Sequence, residues 1–153
     1  MALDSSDALD AANWEILGSL QENARLSYSE LGRRVGLSPP AVAERVRRLE
    51  EAGIIRGYRA DVDVAKLGLP LLGFIRVATR EGRCPQFAAL AAELPEVLEC
   101  HRVTGGDSYI VKFAAASMQH LELLLNRLMA HGQPTTSLVL SSAVTSRVVR
   151  PQP

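Results

Sequence analysis

The sequence has little cysteine, few aromatic residues and no long hydrophobic run. Its two cysteines, Cys84 and Cys100, are too few for a disulfide framework, and we expect a reducing, cytoplasmic location. The longest nearly apolar stretch, Leu67 to Ile75, is far below the roughly 20 residues of a membrane span. The acidic N-terminus has no apolar core and does not predict a secretory signal.

What is present is apolar material at 47% of 153 residues, enough to bury the core of one large domain or two small ones. The 17 basic and 17 acidic residues balance, which by itself argues against a nucleic-acid partner. The charge is segregated, however: residues 1–24 sum to −5, residues 25–59 to +4 and residues 60–153 to +1. Local charge sets the field that a phosphate backbone meets, so DNA binding stays open, as does a merely solvated helix face.

The first sixty residues predict three helices. Apolar residues recur at spacings of three and four between Leu9 and Leu20, and either Asp7 or Asp10 can cap that helix. Ser27 with Glu30 matches a capping box for a short second helix, although Ser29 can also serve as its cap.

The second helix stops at Gly36, and the third begins at once. Ser38, Pro39 and Pro40 form a strong start signal. Val42, Val46 and Leu49 then form a core stripe, and Gly53 ends the helix. A short helix, a break and a longer helix are typical of the helix-turn-helix, whose second helix enters the major groove.

The opposite face of the third helix carries Pro40, Ala43, Glu44 and Arg47, with Arg45 and Arg48 at its flanks. Arginine suits a groove-facing helix because its planar fork bonds guanine or clamps a phosphate. A three-helix bundle that packs against another protein is the alternative for this pattern.

The remainder predicts an α+β domain. Apolar and polar residues alternate over residues 54–62, which predicts a strand that serves as a wing or a linker. Residues 63–70 are predicted to be a connector. Strands are predicted at 71–78, 97–104, 109–115 and 136–144, with helices at 85–94 and 117–130. This β-α-β-β-α-β order is the ferredoxin-like arrangement, with two helices on one sheet face. The other face carries apolar residues, so we expect self-association.

The chain resembles the Lrp/AsnC, or feast/famine, family of transcriptional regulators. The resemblance rests on YSELGRRVG at 28–36, LSPPAVAERVRRLEEAGII at 37–55, GYRADVD at 57–63 and LPEVLECHRVTGGDSYIVKF at 94–113. It implies a winged helix-turn-helix over 1–60, a linker over 61–70 and a ferredoxin-like effector domain over 71–153. It also implies homodimers, assembled further into octamers of four dimers, and an amino acid as effector.

Two sets of candidate site residues follow. Spacing and resemblance together give these candidates for double-stranded DNA: Ser27, Ser29, Ser38, Pro39, Pro40, Ala43, Glu44, Arg45, Arg47 and Arg48. The resemblance gives these candidates for the effector: Thr104, Gly105, Gly106, Asp107, Ser108, Tyr109, Thr135, Thr136 and Ser137.

The effector turn departs from the family pattern, since many members have an aspartate where Ser108 stands and here the acid is Asp107. Turn amides and hydroxyls suit an amino acid's carboxylate, and Asp107 is the nearest candidate for its ammonium. The alternative is that residues 105–107 simply form a tight hairpin turn, which favours the same residue types.

No constellation for catalysis, metal or cofactor binding emerges. The histidines 101, 120 and 131 are scattered, and neither cysteine has a C-x-x-C partner. The prediction is therefore a regulator that binds DNA as a dimer, with recognition helices about 34 Å apart, and that changes assembly with its effector. The alternative is an amino-acid sensor without DNA binding that acts on a protein partner.

Overall fold

The computed structural model describes residues 9–80 and 82–151, so Asp7 lies outside the described residues. The chain divides into two compact units: residues 9–61 with 144–151, and residues 62–143. Across the described ranges, no helix is both long and apolar enough to cross a membrane.

The first unit consists of the three predicted helices, α1 (Ala11–Glu22), α2 (Tyr28–Val35) and α3 (Pro39–Glu51). Asp10 caps α1, because its carboxylate accepts from the Asn13 amide at 2.8 Å. Local signals therefore set the helix ends. The helices enclose one fully buried apolar cluster, which consists of Ile16, Leu31, Val42, Val46 and Leu49.

The strand predicted over residues 54–62 is wrong. These residues follow α3 without regular secondary structure and without a ladder partner in the described part of the chain. The amides of Ile54 and Ile55 bond the Leu49 carbonyl at 2.9 and 3.1 Å, and the Tyr58 hydroxyl donates to Glu50 Oε1 at 2.8 Å. A strand exists only when a second strand satisfies its backbone, which the alternating pattern cannot guarantee.

The second unit has the predicted β-α-β-β-α-β order. Its elements are β1 (Leu71–Thr79), α4 (Cys84–Glu93), β2 (Val97–Arg102), β3 (Tyr109–Ala115), α5 (Met118–Met129) and β4 (Gly132–Leu138). The strands form an antiparallel sheet in the order β2-β3-β1-β4. Ser117 caps α5 as expected. Both helices contribute to one core with the inward side chains of β1 and β3.

The two faces of β1 differ. Ile75 and Val77 are fully buried against the helices, whereas Phe74 and Arg76, which alternate with them along the strand, point to the opposite face and are exposed. Phe74 keeps 40% of its surface accessible and lies opposite Lys112 of β3. This open sheet face is the one for which a partner was expected.

The last strand begins earlier than predicted. β4 covers residues 132–138 instead of 136–144, because Gly132 already pairs with Thr79 and Pro134 with Val77. The glycine and proline suggest a turn, yet β4 is an edge strand, where a residue without an N–H is tolerated. Gly132 also allows the close approach, since a Cβ there would lie 2.5 Å from the Ala78 carbonyl oxygen.

Residues 144–151, here called the C-terminal segment, belong to the first unit, whereas the predicted boundaries assign them to the effector domain. The Gln21 side chain accepts from the Val149 amide at 2.8 Å and donates to the Val149 carbonyl at 3.1 Å. Arg150 lies 3.6 Å from Glu22. The segment is thus held against the end of α1 by contacts that span more than 120 residues of sequence.

Candidate nucleic-acid interface and effector turn

The start of α2 is fixed by Ser27. Its hydroxyl accepts from the Glu30 amide at 3.2 Å and donates to Glu30 Oε2 at 2.6 Å, while that carboxylate also accepts from the Ser27 amide. The hydroxyl bond from Ser27 is the main reason that the pKa of Glu30 is lowered. The hydroxyl of this candidate DNA contact is therefore occupied by the helix cap, whereas Ser29 is exposed in the first turn.

The turn between α2 and α3 is tight because of two glycines. Gly36 ends α2 with a left-handed φ of 69°, and the Leu37 amide bonds the Gly32 carbonyl at 3.0 Å. A Cβ on Gly32 would lie only 2.4 Å from the Leu37 carbonyl oxygen. The sequence LGRRVGLS thus brings the two helices together in the helix-turn-helix arrangement.

Ser38 stands at the N-cap of α3 but makes no side-chain bond to the helix. The next two residues, Pro39 and Pro40, are exposed and have no amide hydrogen, so Ala41 is the first residue of α3 that can donate one. The exposed Ser38 hydroxyl remains available to a phosphate oxygen, in contrast to that of Ser27.

The outer face of α3 lies opposite its buried stripe. Val42, Val46 and Leu49 are at most 1% exposed, which turns Glu44 and Arg47 toward solvent together with Pro40. Ala43 lies at the border of this face and is half-buried. The structure thus brings the predicted groove-facing residues to one side of one helix.

The arginines of that face are paired with glutamates of the same helix. Arg47 donates to both oxygens of Glu44, at 2.7 and 3.0 Å, and its other terminal nitrogen donates to Glu51. Arg48 donates to Glu44 at 2.8 Å. These bonds, with that from Arg47 the largest, lower the pKa of Glu44 to about 2.

Arg45 has a different environment. Its Nη1 donates to Asp10 at 2.7 Å and to Asn13 at 2.9 Å, which ties α3 to the start of α1. Its side chain is 31% exposed, against 54% for Arg47. The structure therefore gives Arg45 a role in joining two helices, in addition to any contact with DNA.

Two arginines outside the predicted set lack the ion pairs that engage Arg47 and Arg48. Arg33 and Arg34 are exposed in the last turn of α2 and make no direct ion pair with the described residues, although their charge also lowers the pKa of Glu30. The first helix of this motif crosses the DNA backbone. Two adjacent basic residues within YSELGRRVG were the signal that could have identified them.

The predicted effector turn separates into exposed and internal residues. Thr104, Gly105 and Gly106 are exposed, and Gly105 has a φ of 112° that favours glycine. The Ser108 hydroxyl accepts from the Thr79 amide at 3.2 Å and the Thr79 hydroxyl at 2.9 Å. Tyr109 is 6% exposed, with its hydroxyl bonded to the Cys84 carbonyl at 3.1 Å. Ser108 and Tyr109 thus join the turn to the core.

Asp107 lies beside Arg76, a residue that the sequence did not single out. The Asp107 carboxylate is 3.8 Å from the Arg76 guanidinium. Thr135 of β4 is the register partner of Arg76, whereas Thr136 pairs with the inward-facing Ile75 and so points to the other face. Ser137 is on the same face as Thr135. A lone cationic residue within an apolar strand was the available signal for Arg76.

Comparisons with known proteins agree with both halves of this description. Residues 9–56 match the family described as winged helix-turn-helix DNA-binding, and residues 72–149 match the Lrp/AsnC ligand binding domain. The chain is 44% identical over 135 residues to the uncharacterized HTH-type transcriptional regulator YezC of Bacillus subtilis, covering 88% of this chain and 96% of that protein. It is 40% identical to the leucine-responsive regulatory protein of Haemophilus influenzae, covering 77% and 73% of the two chains.

Solved structures give the same result. B. subtilis LrpC superposes with a TM-score of 0.86 at 36% identity, covering 90% of this chain and 99% of that one. The Neisseria meningitidis regulator NMB0573, solved as a complex with L-Met, superposes with a TM-score of 0.87 at 35% identity, covering 92% and 96%.

Proposed function

The chain belongs to the Lrp/AsnC family of DNA-binding transcriptional regulators, and we propose that it reads its operator with the outer face of α3 and senses an amino acid beside Arg76 and Asp107. The family is one of regulators and not of enzymes, and the alternative of a sensor without DNA binding is not favoured. A regulator of this kind acts where the chromosome is, in the cytoplasm.

The observation that carries the DNA-binding part is the tight α2–α3 turn, which leaves the outer face of α3 solvent-exposed. Arg47 on that face is a candidate for base contacts, and the Ser38 hydroxyl is a candidate for a phosphate. Arg33 and Arg34 add cationic groups from α2 without an ion-pair partner among the described residues. Together they supply the positioning contacts and the reading contacts that a recognition unit needs.

The test is salt-dependent binding to the DNA upstream of the protein's own gene. Wild-type protein should bind that duplex with an affinity that falls as salt rises. Arg47→Ala should weaken this binding while assembly in solution stays unchanged, and Arg33→Ala should weaken binding to every duplex alike. Arg127→Ala, in α5 of the other unit, is the matched control. Binding by Arg47→Ala that equals wild type would refute the assignment of α3.

The effector part rests on the opposite charges at the end of the sheet. The Arg76 guanidinium suits a carboxylate, the Asp107 carboxylate suits an ammonium, and Thr135 on the same face adds a hydroxyl. An amino acid is a zwitterion that offers both of these groups. The L-Met complex of the Neisseria relative supports an amino acid as the class of effector.

A thermal-shift screen with the twenty amino acids tests the effector. We expect at least one to raise the midpoint of wild type, and Arg76→Gln or Asp107→Asn to abolish that rise. Lys112→Gln is the matched control, because Lys112 also faces the open side of the sheet but pairs with Glu99 at 2.9 Å. Stabilisation by none of the twenty, or equal shifts in Arg76→Gln and Lys112→Gln, would contradict the proposed site.

We propose self-association through the open sheet face. Phe74 on that face is 40% exposed, and a second copy that covers it would remove this apolar side chain from water. Two copies would place two α3 helices in successive major grooves, about 34 Å apart. Mass measurement in solution, with and without amino acid, tests for dimers and octamers; a monomer at all concentrations would exclude this arrangement.

A further inference from the structure

The charges of α3 cancel on the surface that faces the groove. The helix carries three arginines and three glutamates, so α3 has no net charge of its own. Glu44 lies at the centre of the outer face, four residues after Pro40 and eight before Ala52 at the helix end. A carboxylate in this position would stand between the arginines and any DNA that approaches.

Glu44 also occupies the hydrogen-bonding groups that the arginines would use on DNA. Its Oε1 accepts from Arg47 Nη2 at 2.7 Å and from Arg48 Nε at 2.8 Å, and its Oε2 accepts from Arg47 Nε at 3.0 Å. The planar fork of Arg47 is thereby engaged by a carboxylate in the two-bond manner in which it would engage guanine. The Nε–Nη2 edge of Arg47 can therefore make a two-bond contact with a base only after Glu44 leaves it.

We propose that Glu44 is a specificity-determining residue, which withholds Arg47 and Arg48 from non-cognate DNA and releases them where its carboxylate accepts a bond from the exocyclic amino group of a cytosine. This inference rests on the proposed function of α3. At guanine and thymine the carboxylate meets base acceptors, and at adenine the N7 acceptor beside the amino group repels it, so the intrahelical pairs persist. On a cytosine, the amino group replaces the arginines as donor to Glu44, and the arginines become available to the DNA.

Charge removal distinguishes this role from simple repulsion. Because the pKa of Glu44 is about 2, with its bond from Arg47 as the main cause, acidification cannot neutralise it while DNA stays duplex, and a substitution is required. Glu44→Gln removes one negative charge from α3. Glu51→Gln removes the same charge from the same face but affects only Arg47, at the far end of the helix.

The experiment measures binding of the full-length protein to a random-sequence duplex and to its own upstream duplex over a range of salt. Releasing two arginines to phosphates should steepen the slope of log K against log salt by up to about 1.8 in Glu44→Gln, and by no more than about 0.9 in Glu51→Gln. The preference for the upstream duplex should fall about tenfold in Glu44→Gln and stay near wild type in Glu51→Gln. The fluorescence of Trp14 in α1 verifies that each variant is folded.

A second measurement tests the base. Duplexes selected from a randomised pool by wild type should carry a cytosine at one position of each half-site, and those selected by Glu44→Gln should lose it. Equal salt slopes and equal preferences in the two variants, with wild type binding normally, would overturn this inference alone. If wild type and both variants fail to bind any duplex, the proposed function of α3 is overturned together with it.

Discussion

Two glycines in different helices test how closely α2 approaches the turn that follows it. Gly18 lies inside α1, where an added Cβ would meet nothing within 4 Å. Gly32 lies inside α2, where an added Cβ would lie 2.4 Å from the Leu37 carbonyl oxygen. The same substitution, glycine to alanine, should therefore change the stability of the first unit in opposite directions.

The magnitudes follow from two opposing contributions. Alanine in a helix interior is more favourable than glycine by about 0.5–1 kcal/mol, so Gly18→Ala should raise the free energy of unfolding by that amount. Gly32→Ala has the same gain, but the new methyl group must displace a backbone carbonyl, and overpacking costs about 1–3 kcal/mol. Since backbone cannot rotate away as a side chain can, we expect the upper end of that range and a net loss of about 2–2.5 kcal/mol.

The assay is urea unfolding followed by tryptophan fluorescence. Trp14 in α1 is the single tryptophan of the sequence, so its signal reports the first unit. The midpoint should rise for Gly18→Ala and fall for Gly32→Ala, with the denaturant slope unchanged. A higher midpoint for both variants would refute the close approach of α2 to Leu37.

Three further predictions concern the first unit. Ser27→Ala should lower its free energy of unfolding by about 1 kcal/mol, because a helix cap is lost, whereas Ser38→Ala should leave stability unchanged and weaken DNA binding; urea and duplex titrations measure the two effects. Arg45→Ala should lower the free energy of unfolding by less than about 1 kcal/mol, and should make that free energy depend less on pH in the acid range. The pKa of Asp10 is lowered, first by its bond from the Asn13 amide and then by Arg45. The stabilisation from Asp10 is therefore present above pH 3.8 and is lost as the pH falls through the lower pKa of the folded state. Urea midpoints measured across that pH range test this. Gln21→Ala should release the C-terminal segment, and limited proteolysis should then cleave within residues 144–151 faster than in wild type; equal rates would contradict that contact.

The helices of the first unit were predictable because their signals are local. Asp10, Ser27 and Gly36 each act within four residues of the helix end that they define, and the structure confirms all three. The absence of a strand over residues 54–62 was not predictable. An alternating pattern indicates that a segment can pair in a sheet, but not that a partner strand is present. The predicted start of β4 was wrong for a related reason. Pro134 is acceptable only on an edge strand, and the sequence does not show which strand lies at the edge.

The candidate site was predicted unevenly. The outer face of α3 follows from helical periodicity, so Glu44 and Arg47 were identified together. The sequence did not indicate that Arg45 would turn to Asp10, a contact across 35 residues. Nor did it indicate that Ser108 and Tyr109 would bond back into the core beside β1 and α4. Periodicity places a residue on a face, but only packing decides which neighbour its polar atoms meet.

The sequence by itself determined the three helices of the first unit with their caps, the order of elements in the second unit and the family resemblance, because each depends on nearby residues or on a contiguous motif. Only the tertiary structure decided that Arg45 is engaged by Asp10, 35 residues away, and that Arg33 and Arg34 make no direct ion pair in the described chain. It also decided that the C-terminal segment returns to α1 and that Arg76 lies beside Asp107. Electrostatic and hydrogen-bonding partners depend on distances in space, which residues far apart in the chain acquire only on folding.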